Sequence, residues 1–271
     1  MRHPVVAAAL AGMRQNLLPG VVLWSVALGI VLMYWSVPAL RPAYDRIAAW
    51  KIEGGYAFSA GISAIAGGVV PWLALIAMGR LPRRRCAVGA FLVLFWVYRG
   101  LEVDALYRFQ SWAFGDGTDV ATVLTKVAVD MFGYSLFWAG PSSLIAYRWQ
   151  ENGFSWARLR ASLDRRVFTV LMPSLALSQM ATWLPAVAII YSLPPALQVP
   201  LYAVVLCFWV LLIEAVAARR VEAAPAPVVV PTPGRSDHSA GSQGSGAHAC
   251  GTPSSMQTLK RVAPLASIAA R

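Results

Sequence analysis

Apolar positions in this chain come in long runs, without the strict alternation of a half-buried strand or the narrow apolar stripe of a surface helix. Six runs approach the roughly 20 residues needed to cross about 30 Å of hydrocarbon, at 17–40, 56–78, 86–98, 121–147, 168–191 and 199–218. The third is short as an apolar run. Its helix is expected to continue through 99–114 as an amphipathic stretch that leaves the bilayer core. The expected fold class is therefore all-α, a polytopic transmembrane helical bundle of about six spans. The first run is too long to read as a cleaved signal peptide and lacks the small-residue cleavage site of one.

Composition supports that class. Of 271 residues, 58% are hydrophobic and 13% charged, with a mean hydropathy of +0.58, whereas soluble domains carry about 25% charged residues. The formal charge of +11 could indicate nucleic-acid binding. Most of the arginines, however, flank apolar runs, where they act as topology signals, so the expected partner is the lipid bilayer and not nucleic acid. Arg2, Arg14, Arg80, Arg83, Arg84, Arg85, Arg148, Arg158, Arg160, Arg165, Arg166, Arg219 and Arg220 fall on one side, thirteen in all. Arg41, Arg46, Lys51, Arg99 and Arg108 make five on the other. Both termini are expected on the cytoplasmic side.

Three regions follow: a cytoplasmic amino-terminal segment at 1–16, the transmembrane domain at 17–220, and a tail at 221–271 rich in Ala, Pro, Ser and Gly. The tail has too little apolar surface to offset the entropy of ordering, so it is expected to be disordered. Cys86, Cys207 and Cys250 form no CxxC pair, and His238, His248 and Cys250 match no standard ligand spacing. No metal and no cofactor are expected.

Within the spans, Lys126 and Asp130 are the most informative residues, because ionisable groups in hydrocarbon are costly. Four residues apart, they share a helix face, with Asp130 roughly 13 Å into its span. That face continues through Thr122, Gly133, Phe137 and Gly140 and is expected to look into the bundle. Two readings stand: a pair that lines a pathway, or a buried ion pair that fixes packing. On the fifth span, Ser174, Ser178 and Thr182 recur at helical spacing beside Gln179, a pattern that serves either interhelical packing or pathway lining. Gly61, Ala64, Gly67 and Gly68 form a small-residue face on the second.

Just past the third apolar run, Arg99, Glu102, Asp104, Tyr107 and Arg108 are dense in charge. Arg99 with Glu102, and Asp104 with Arg108, fall at helical pairing distances. The segment reads as a vestibule on the outer side or as an interfacial helix with Trp112 as an anchor. Glu214 is expected to reach toward Arg219 or Arg220. No histidine lies in the spans, and no nucleotide or hydrolytic motif is present, so an enzyme is not expected.

The stretch 126–220 resembles the twenty-two-kilodalton peroxisomal membrane protein family, also called the Mpv-seventeen family. Carrying the resemblance are Lys126-x-x-x-Asp130, Gly140-Pro141, Trp183-Leu-Pro185 with Tyr191, then Pro194 and Trp209. Met131 in place of the family's glutamine, and the additional amino-terminal span, suggest a divergent branch, a bacterial one among the options. Resemblance implies a multi-pass protein of the cytoplasmic membrane in a bacterium, or otherwise of the mitochondrial inner or peroxisomal membrane, with a channel-like or still unsettled role. The leading expectation is a pore or permeation pathway for small solutes, acting alone or as a homo-oligomer. The alternative is a non-transporting structural or stress-related scaffold.

Overall fold

The structure is a computed structural model that describes residues 4–79 and 85–223, with side-chain surroundings for 5–79 and 85–213. Residues 221–223 of the expected tail continue the last helix; the rest of it, with Arg2, Arg80, Arg83, Arg84 and the surroundings of Glu214, lies outside the described residues. Helix α1 spans Pro4–Ser36. A second long helix is built from α2 at Arg41–Ser63, a π-helical segment at Ala64–Val69 and α3 at Val70–Ala77. Helix α4 is Arg85–Phe114. A fourth is assembled from α5 at Val120–Ala128, a π-helical segment at Val129–Ala139 and α6 at Gly140–Glu151. After the short α7 at Trp156–Ser162, a π-helical segment at Val167–Leu171 leads into α8 at Met172–Tyr191, and α9 runs over Pro195–Ala223. Six of these helical stretches are long and apolar enough to cross a membrane. The chain is an all-α polytopic membrane bundle.

Helix α9 is its centre. About 61% of its most apolar window is buried, against 22–33% in the other five spans. Leu193, Val199, Val205, Leu206 and Val210 anchor the core, into which Leu23 and Ala27 of α1 and Val187 and Ile190 of α8 insert. Apolar side chains such as Leu18, Leu94, Phe137 and Leu177 face outward. In water such a surface would promote aggregation; in a bilayer it is the lipid contact.

Several expected boundaries are corrected. Residues 4–16 belong to α1, with Ala9 and Asn16 buried, so they are continuous with the span. The second helix starts at Arg41 and bends at Gly55 (φ 50°, ψ −128°), a conformation that favours glycine. Lys51 is therefore a buried helix residue, 5% exposed, and not a loop charge. Helix α4 continues unbroken past residue 99, with Arg99, Gly100, Val103, Asp104, Tyr107 and Gln110 buried along one face. The segment is amphipathic, but its polar face points inward and its apolar face outward, with Phe109 and Trp112 exposed.

Small residues set the helix separations. A Cβ on Gly100 would lie 2.3 Å from the Ser59 carbonyl oxygen, and one on Gly67 would lie 2.4 Å from the Trp96 ring. Gly68 touches the α4 backbone at Val93 in the same way. Gly61, expected on this face, points away from it, and nothing lies within 4 Å of its Cβ position.

Candidate functional site

A cavity of about 600 Å³ lies between α4, the π-helical segment 129–139, α6, α8 and α9. Its wall is chiefly apolar and aromatic, including Trp96, Tyr107, Tyr202, Trp183 and Trp209. Arg99, Asp130, Ser135 and Ser178 supply polar groups. The exposed residues Phe137 and Gln179 also line it, which puts an opening toward the outer surface of the bundle between their helices. Arg99 sits at the middle of a 30-residue helix. The cavity therefore lies near the mid-depth of the spans.

Asp130, 5% exposed, begins the π-helical segment. A π-helix places residues i and i+5 over one another, and Ser135 accordingly donates its hydroxyl to Asp130 Oδ1 at 2.9 Å. Tyr191, at the end of α8, donates to Oδ2 at 2.9 Å and accepts from Gln110 Nε2 of α4 at 2.7 Å. Three helices thus converge on one carboxylate. The widened turn also corrects the expected inward face: beyond Asp130 the side turned to the bundle runs through Met131, Tyr134 and Ser135, while Gly133 and Phe137 are exposed.

Lys126 and Asp130 do not form the expected ion pair. None of the ion pairs within 4.0 Å among the described residues includes either side chain. Lys126 is 1% exposed, and the carboxylate that acts on it electrostatically is Asp116 in the preceding loop. It does not line the cavity; neither does Thr122, whose hydroxyl and backbone N–H both donate to Asp119 at the helix start. Those two bonds hold the Asp119 carboxyl below its usual range.

Four of the five expected vestibule residues divide between two clusters, Arg99 with Glu102 and Asp104 with Arg108, so no single outer vestibule forms. In one, Arg99 Nη1 donates to Glu102 Oε2 at 2.5 Å. Its Nη2 donates to the Ala139 carbonyl at 2.9 Å and to the hydroxyls of Ser142 and Ser143 at 2.6 and 2.9 Å. Glu102 also accepts from Tyr98 at 2.8 Å, from Tyr134 at 3.0 Å and from the Trp138 indole. The guanidinium and its carboxylate thereby tie α4 to the junction of the π-helical segment with α6, where Ala139 hands over to Gly140. In the other cluster, Asp104 accepts from Lys51 Nζ at 3.0 Å on both oxygens, from Ser59 at 2.8 Å and from Arg108 Nε at 3.1 Å. Lys51 also reaches the Gly55 carbonyl at 3.5 Å, so the cluster holds the bend of α2 against α4. Arg108 stacks over the Tyr56 ring, its guanidinium carbon 4.6 Å from the centroid. Tyr107 belongs to neither cluster. Its ring meets that of Tyr191 at 5.1 Å in the cavity wall.

Of the fifth-span hydroxyls, that of Ser178 meets α1, while those of Ser174 and Thr182 bond carbonyls of their own helical stretch. Asn16 Nδ2 donates to Ser178 at 3.2 Å, and the Trp24 indole donates to the Thr182 carbonyl at 2.8 Å. Gly12 and Gly20 allow this approach, with their Cβ positions 2.8 Å from Ser178 Oγ and 3.4 Å from Thr182 Cγ2. Ser174 bonds its own helix at the Leu171 carbonyl. Ser178 and Gln179 line the cavity; Ser174 and Thr182 do not. The sequence reading missed Lys51, Gln110 and Asn16. Lys51, between Trp50 and Ile52, carried the signal of a lone polar residue with apolar neighbours; Asn16 beside Gln15 and Gln110 beside Ser111 did not.

The residues that carried the family resemblance gather partly around the same space. Gly140, Pro141, Trp183 and Trp209 line the cavity, with the rings of Trp183 and Trp209 edge to face at 6.0 Å. Pro185 lies inside α8 and Pro194 in the turn before α9. Compared with family models, curated proteins and solved structures, the chain matches none.

Proposed function

We propose that this integral membrane protein provides a permeation pathway for small solutes, alone or as a homo-oligomer, through the cavity beside Asp130. The cavity carries the reading. Its volume of about 600 Å³ falls in the range that takes small molecules, and it combines apolar walls with a few convergent polar groups. Ionisable residues within spans usually mark substrate or ion pathways. The resemblance to the Mpv-seventeen family, whose members are described as having channel-like or still unsettled roles, is compatible with this reading. Opening of the cavity beside Phe137 and Gln179 offers lateral access, and the excess of arginine at one set of span ends supports cytoplasmic termini.

A second reading is a scaffold that moves no solute. It is favoured by the full engagement of Arg99 and Asp104 with protein groups, an arrangement that fixes helix packing. Purified protein in liposomes separates the two. The pathway reading expects uptake of small uncharged or singly charged solutes faster than in protein-free vesicles. Rates equal to those of empty vesicles across such a panel would favour the scaffold.

A further inference from the structure

We propose that the cavity binds an amphipathic organic cation, with the positive group at Asp130 and the apolar body against the aromatic wall. The inference deepens the pathway reading and rests on it for transport, though not for binding. It begins with charge. Asp130 receives two hydroxyl hydrogen bonds, from Ser135 and Tyr191, and has no cation within 4.0 Å among the described residues. Arg99 lines the same cavity, but its charge is taken up by Glu102 at 2.5 Å. Lys126 is buried and is not among the residues that line the cavity. The wall therefore presents one carboxylate whose charge no protein cation offsets. Such a group in apolar surroundings is costly unless countered.

The rest of the wall selects the kind of cation. A small hydrated metal ion needs several oxygen ligands, whereas this surface is mainly aromatic and aliphatic. Tyr107, Tyr202, Trp96, Trp183 and Trp209 line it, and aromatic faces attract organic ammonium or phosphonium groups. Exposed Phe137 and Gln179 at the opening let such a molecule arrive from the bilayer, where amphipathic cations concentrate.

Tetraphenylphosphonium is a suitable probe, with neutral triphenylphosphine oxide and anionic tetraphenylborate as matched controls. Binding is measured by equilibrium dialysis of the purified full chain in lipid nanodiscs, after subtraction of protein-free discs. Wild-type protein should hold the cation more tightly than the neutral or anionic molecule. Asp130→Asn, which keeps one acceptor oxygen for Tyr191 and turns its amide N–H to the Ser135 hydroxyl, should weaken the cation at least about 30-fold, the loss typical when one member of a buried charge pair is neutralised, and should leave the neutral molecule unaffected. Equal wild-type affinity for cation and neutral control overturns the proposal whether or not the variant folds. Full cation affinity in a folded Asp130→Asn protein overturns it as well. Uptake of neutral solutes without cation binding would remove the ligand class and leave the pathway reading standing. Cation binding without any flux would support the site and remove the pathway.

Discussion

Lys51 Nζ stands 3.0 Å from both carboxylate oxygens of Asp104, joining α2 to α4 where both side chains are almost wholly buried. Burying two charges is costly, and removing one partner strands the other. Lys51→Met is expected to destabilise the protein by about 3 kcal/mol, and Asp104→Leu by a similar or larger amount because Ser59 and Arg108 lose their acceptor too. The double variant should recover much of that loss, since Arg108 is half exposed and can turn outward. Thermal or denaturant unfolding in detergent measures all three, and strictly additive losses would contradict the pairing.

Gly100 and Gly61 make a second contrast. Alanine at Gly100 meets the Ser59 backbone oxygen and should cost about 1–3 kcal/mol by forcing α2 and α4 apart. At Gly61 nothing stands within 4 Å, so alanine there should be neutral or stabilising by up to about 1 kcal/mol. Unfolding of the two variants side by side tests the close approach. A harmless Gly100→Ala would show that the helices do not meet there.

Lys126 tests the separation from Asp130. With no acid within 4.0 Å, Lys126→Met is expected to change stability by less than about 1 kcal/mol or to stabilise, because it removes a buried charge. An ion pair would instead give a loss of about 3–5 kcal/mol. A double-mutant cycle with Asp130→Asn should show coupling below about 0.5 kcal/mol.

Topology gives a further expectation. Six spans would place both ends of the bundle on one side, and the charge count leads to the expectation that this side is cytoplasmic. Reporter fusions after Arg220 and between Arg80 and Arg85 should both read inside. An outside reading at either would break the six-span arrangement.

Span number and helical class were legible because long apolar runs have few alternatives. The Ser174, Ser178 and Thr182 stripe was legible as a small polar face but not as packing or pathway lining: Ser178 and Thr182 meet Asn16 and Trp24 of α1, and Ser178 also lines the cavity. Two features were not. The fourth span was read with a period of 3.6, whereas the π-helical segment from Val129 to Ala139 adds residues to each turn, bringing Ser135 under Asp130 and turning Phe137 outward. The second half of α4 was read as leaving the bilayer because charged residues are costly there. Its charges are instead matched by Lys51, Ser59, Ser142 and Ser143 on helices distant in sequence. Spacing along one helix carries no information about such partners.

Solute flux in liposomes containing Ala176→Trp protein tests the pathway most directly. Ala176 lines the cavity and belongs to none of the hydrogen-bond clusters around Asp130, Arg99 and Asp104, so a large side chain there should fill space without disturbing them. Wild-type protein is expected to accelerate uptake over protein-free vesicles, and the folded variant, checked by thermal melt, should lose most of that acceleration. Wild-type rates in a folded Ala176→Trp protein would contradict a route through the cavity.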